Sequence, residues 1–78
     1  MQINPTDIHY SYDSRGYMMY YKDKPIGGAG INKKAKGCLA NVKLFKEQAE
    51  LEKNRILNGF INSYMLENIR KIDEEEAK

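Results

Sequence analysis

The chain has no tryptophan, one cysteine, one histidine and two prolines in 78 residues. Each scarcity removes a class of protein. A lone Cys38 cannot close an intramolecular disulfide, so the usual staple of a small secreted domain is missing. A cytoplasmic protein is the simplest expectation. One Cys and one His would need carboxylates to complete a four-ligand zinc site, and no metal-ligand spacing occurs. No cofactor is expected. No apolar run approaches the ~20 residues of a membrane span, and no basic stretch leads into an apolar leader. No membrane association is expected. Length points to a single domain over residues 1–78, frayed at 1–7 and 73–78. A chain this short buries only about 60% of its unfolded surface, and thin cores often rely on oligomerisation.

Catalytic constellations are missing too. His9 stands alone beside Tyr10 and Ser11, with no nucleophile elbow in the chain. A nucleophilic triad needs a base oriented by a third group. Asp7, Asp13 and Asp23 fall in the lead-in or in turns. Gly27-Gly28-Ala29-Gly30 is not followed by Gly-Lys-Ser/Thr, as a phosphate loop requires. It does not enter a helix inside a βαβ unit either. The expectation is a non-enzymatic protein with no small-molecule substrate. The glycines would let a strand lie close to a helix or to another backbone.

What the chain does have is uneven charge. The net +2 is the sum of +5 over residues 1–46 (eight basic, three acidic) and −3 over residues 47–78 (five basic, eight acidic). Seven Lys and one Asp fall between Lys22 and Lys46, while Asp73 to Glu76 is a continuous acidic run. Such asymmetry within one chain points to an anionic partner for the basic part.

Periodicity changes along the chain. Ile8 to Tyr12 alternates with period two and reads as a strand. Asp13-Ser14-Arg15-Gly16 is a turn in which Asp can bond the backbone and Gly can supply positive φ. Tyr17 to Lys22 reads as the central strand. A second turn, Lys22 to Pro25, leads to a short edge strand over Pro25–Ile31, whose glycines predict a bulge or a close approach. From about Ala35 the spacing becomes helical: Cys38, Val42, Phe45, Ala49, Ile56 and Phe60 share a face. Asn58-Gly59 is a stop signal. Beyond it Ile61, Met65, Ile69 and Ile72 recur at helical spacing, with Phe60 and Tyr64 beside them. The fold class is therefore α+β: a three-stranded antiparallel meander packed against one long or two medium C-terminal helices.

The central strand presents Tyr17, Met19 and Tyr21 on one face and Met18, Tyr20 and Lys22 on the other. Either face could be the buried one. An apolar sheet face left uncovered by the helices is a partner surface. Leu39, Leu44, Leu51 and Leu57 lie partly off the main helical stripe. They need cover from a fold-back at Asn58-Gly59 or from a second copy.

The order of these features resembles the small N-terminal, arm-site DNA-binding domain of phage tyrosine integrases. Ile8-His9-Tyr10 with Gly16-Tyr17-Met18-Met19-Tyr20 is similar to its first hairpin. Lys24-Pro25-Ile26-Gly27-Gly28 and Gly30 resemble its third strand. Lys33-Lys34-Ala35 and Cys38 to Phe45 resemble the approach to its helix. The likeness covers roughly Ile8 to Leu51; residues 56–78 have no counterpart in it. It implies a sheet whose exposed face enters the DNA major groove. The integrase catalytic domain has no counterpart here, so no strand-exchange chemistry is implied. An accessory protein of a phage or mobile element would fit.

The expected function is binding of double-stranded DNA through the sheet. Lys22, Lys24, Lys33, Lys34 and Lys36 would contact phosphates, and Arg15 and Tyr20 would reach the groove. The alternative is a protein–protein interaction module, a dimeric adaptor or inhibitor, using the helix leucines and the sheet aromatics. A homodimer through the helices fits either reading.

Overall fold

The computed structural model describes residues 3–31 and 39–77. Three antiparallel strands, β1 (Ile8–Asp13), β2 (Gly16–Tyr21) and β3 (Lys24–Gly30), form a sheet in the order β1-β2-β3. Two helices follow, α1 (Leu39–Leu57) and α2 (Ser63–Glu76). The fold is α+β, with a meander backed by two medium helices. Pro5–Asp7, expected to fray, forms a 3-10 turn capped by Asn4. α2 likewise continues through the acidic run to Glu76.

Both hairpin loops have two residues. In the first, the Asp13 carboxylate accepts from the Arg15 N–H (2.7 Å) and the Gly16 N–H (3.1 Å). This is the expected side-chain bond to the turn backbone. The expected positive φ at Gly16 is not found. Positive φ occurs instead at Lys22 (51°) and Asp23 (66°), the two residues between β2 and β3. That is the pattern of a primed hairpin turn, whose twist matches the strands it joins. Gly16 is needed for space: a Cβ there would strike the Ala29 carbonyl oxygen. One at Gly28 would strike the Tyr17 carbonyl oxygen. The glycines thus let β3 lie against β2. The predicted bulge is present, as the β2–β3 register shifts between Met19 and Tyr20.

Alternation settles which sheet face is buried. Ile8 on β1, Met19 and Tyr21 on β2 and Ile26 on β3 form one cluster with Ile56 of α1 and Met65, Ile69 and Ile72 of α2. Both helices therefore lie on one side of the sheet. α1 packs along β1 and β2, and α2 against β3. Tyr17, Met19 and Tyr21 face the helices, and Met18 and Tyr20 face away.

The helix reverses at the predicted stop. The Phe60 N–H donates to the Arg55 carbonyl (2.8 Å) and the Gly59 N–H to the Ile56 carbonyl (3.2 Å). Gly59 has φ +87°. These are the two bonds and the left-handed residue of a Schellman cap. Asn62 then caps α2 by accepting from the Met65 N–H at 2.8 Å. The break takes Phe60 out of helical register. Expected on the apolar face, it is instead 76% exposed. Phe45, Ala49 and Ile56 hold the buried stripe of α1, with Val42 half-buried. Cys38, expected at the head of that stripe, lies outside the described residues. A 19-residue helix is roughly 28 Å long, against roughly 20 Å for a six-residue strand. The sheet cannot cover all of α1, and Leu39, Leu44 and Leu51 are exposed.

Three substitutions separate these roles by urea denaturation. Gly59→Ala meets no neighbouring atom within 4 Å, so its cost is conformational, about 1–2 kcal/mol. Ile69→Ala removes a fully buried side chain at the junction of α2 and the sheet and costs about 2–5 kcal/mol. Leu44→Ala, on the exposed side, shifts stability by no more than about 0.5 kcal/mol. A Leu44→Ala loss as large as that of Ile69→Ala would contradict this packing.

Candidate nucleic-acid interface

The sheet face turned away from the helices is built by alternation. It presents His9 and Ser11 from β1 beside Tyr20 and Met18 from β2, cross-strand pairs in the register His9↔Tyr20 and Ser11↔Met18. His9, Ser11 and Met18 are exposed, and Tyr20 is half-buried. The three strands carry a single carboxylate, Asp13, and its side chain is bonded to the turn backbone. Eight of the chain's eleven carboxylates lie on α1 and α2, beyond the opposite face. The surface is thus aromatic and hydroxyl-bearing, with little negative charge of its own. An open depression lined by Met18, Tyr17, Gly28, Tyr64 and Asn68 adjoins it across β3.

Arg15 stands at one end of this face, exposed in the first turn. Its carbonyl accepts from the Ile31 N–H at 2.8 Å, which ties the end of β3 to the turn. Ile31, the last described residue before the lysine-rich connection to α1, is therefore held beside Arg15. Lys33, Lys34 and Lys36, on that connection, lie outside the described residues.

The other end of the sheet is different. Lys22 Nζ lies 2.9 Å from Glu76 Oε2 and 3.5 Å from Asp73 Oδ1. It also sits 5.2 Å from the centroid of the Tyr21 ring, a cation–π distance. The hydrogen bond to Glu76 holds its pKa above the ordinary lysine range. Lys24 Nζ lies 3.4 Å from Glu75 Oε2. The Tyr21 hydroxyl donates to Asp73 Oδ1 at 2.8 Å. The end of α2 is thereby clasped onto the second turn. Of the seven expected contact residues, the structure places Arg15 and Tyr20 on or beside the open face and engages Lys22 and Lys24 with carboxylates.

Two features escaped the sequence reading. Expecting residues 73–78 to fray missed the pairing of the acidic run with the lysines. Its signal was the three-residue spacing of Asp73 and Glu76, which puts both on one helix face. His9, Ser11 and Met18 join the candidate face by alternation, once the buried face is known.

Among the described residues, no helix is long and apolar enough to cross a membrane. No group of three or more His, Cys, Asp or Glu among them could hold a metal ion. Comparison with protein-family models, curated proteins and solved structures yields no match.

The clasp makes an alkaline prediction. Burial, followed by the bond to Asp73, raises the Tyr21 pKa above its ordinary value of 10.0. A phenol whose pKa is higher folded than unfolded stabilises the fold fully below the unfolded value. That contribution is lost as pH rises through the folded value. Denaturation midpoints should be flat from about pH 8 to 10 and fall above it, and Tyr21→Phe should lessen the fall. An equal fall in Tyr21→Phe would assign the loss to other groups.

Proposed function

We propose that this chain is a non-enzymatic DNA-binding protein that docks the open face of its sheet on duplex DNA. One observation carries the reading: among the described residues, both helices cover the same sheet face and leave the other uncovered, with Arg15 at its end. A sheet or two-stranded ribbon is of a size that the major groove admits. Arg15 and Tyr20 supply the groove contacts, with His9, Ser11 and Met18 as neighbours. Lys33, Lys34 and Lys36 supply phosphate contacts that set affinity and register. The order of strands and helix that resembles the integrase arm-site domain supports the same orientation, with the face opposite the helix toward DNA. The chain would act as an accessory protein of a phage or mobile element, in the cytoplasm.

A second reading rests on a separate observation. Leu44 and Leu51, seven residues apart on α1, are 46% and 53% exposed and fall on one side of the helix. They fit a protein–protein module, such as a homodimeric adaptor or inhibitor, in which the lysines only solubilise.

Duplex titration over a salt series distinguishes the two. K33A/K34A/K36A should weaken binding at all sequences and reduce the slope of log K against log[salt] by about 3. Arg15→Ala should weaken binding by about tenfold or more at fixed salt, with a sequence dependence. Absence of salt-sensitive binding by the wild type would sink the DNA reading. Loss of a sedimenting dimer in Leu51→Glu would then favour the second.

A further inference from the structure

Lys22 and Lys24, at the second hairpin, are already occupied, and by the chain itself. Glu76 sits 2.9 Å from Lys22 and Glu75 sits 3.4 Å from Lys24. Asp73 completes the set at 3.5 Å from Lys22 and is anchored by the Tyr21 hydroxyl. The last two turns of α2 thus place three carboxylates against the two cations of the β2–β3 turn. A row of carboxylates on a helix offers lysines what a phosphate backbone offers, negative oxygens at hydrogen-bond distance. The helix reaches them because α2 packs against β3 and Ile72 belongs to the core, one residue before Asp73.

We infer that the end of α2 is an autoinhibitory clasp, an internal competitor that withholds Lys22 and Lys24 from the phosphates of duplex DNA. The inference rests on the DNA-binding reading above and names the regulation of that surface. For either lysine to neutralise a phosphate, it must first leave a carboxylate. Exposed ion pairs of this kind are individually weak, so the clasp attenuates binding and does not abolish it. A duplex that reaches the second turn displaces it. Any partner or modification that draws the acidic turn away would tighten DNA binding without touching the open face.

The test is a cycle of duplex titrations with the full chain. E75Q/E76Q removes the partner of Lys24 and the nearer partner of Lys22 and leaves the Tyr21–Asp73 bond in place. It should bind duplex DNA roughly 3–10-fold tighter than wild type at low salt. Its salt slope should be steeper by about 1–2. The same change made in K22Q/K24Q should yield less than twofold, because no lysine remains to be released. E67Q/E74Q removes as much charge from carboxylates outside these ion pairs, and should also yield less than twofold. An equal gain in E67Q/E74Q, or a gain that persists in K22Q/K24Q, would reduce the effect to net charge and overturn the clasp. Unchanged affinity of E75Q/E76Q, with the wild type still binding, would overturn the clasp alone. No binding by any variant would overturn the DNA reading along with it.

Discussion

The reversal at residues 58–62 is the constraint on which the rest of the structure depends. A three-stranded sheet of this size exposes a face that one helix cannot cover, since α1 packs mainly on β1 and β2. The left-handed Gly59 and the Asn62 cap turn the chain within a few residues and lay α2 under β3. That turn delivers Met65, Ile69 and Ile72 to the core. It also delivers Asp73, Glu75 and Glu76 to the lysines of the second hairpin. Without it, Ile26 on β3 would face water, and a chain whose one cysteine cannot close an internal disulfide has little else to close its core.

One-sided cover has a direct consequence for the other side. All the helical carboxylates are committed to the layer behind the sheet. Among the described residues, 3–31 carry three basic and three acidic residues, net zero, and 39–77 carry six and eight, or −2. The separation is therefore partly one of layers, and the clasp narrows it further by pairing Lys22 and Lys24 internally. Among the described residues of the sheet and its turns, the ion pairs engage Lys22 and Lys24 and leave Arg15 as the remaining cation. The proposed interface is thus polarised toward the first turn.

Much of this architecture was legible in the residues. The period-two run from Ile8, the Asp13 turn, the glycine-rich third strand with its bulge and the stop at Asn58-Gly59 each carried a local signal. Local signals failed where long-range packing decides. Tyr17 to Lys22 has comparable apolar residues on both faces, and only the position of the helices makes Met19 buried and Met18 exposed. Phe60 matched the helical spacing but lies just beyond the cap that ends the helix. The pairing of Lys22 with Glu76 joins residues 54 apart in the chain, and no pattern within a window can show it. Gly16 reads as a turn glycine, whereas its role is to admit the neighbouring backbone of β3.

The central claim is that the uncovered sheet face, and not the exposed side of α1, meets the partner. Backbone amide shifts of the isotope-labelled protein, followed during titration with a short duplex, test it most directly. The predicted result is a contiguous set of salt-sensitive perturbations at His9, Ser11, Arg15, Met18 and Tyr20, with Leu44 and Leu51 unmoved. Perturbations centred on Leu44 and Leu51, or none at saturating duplex, would contradict it.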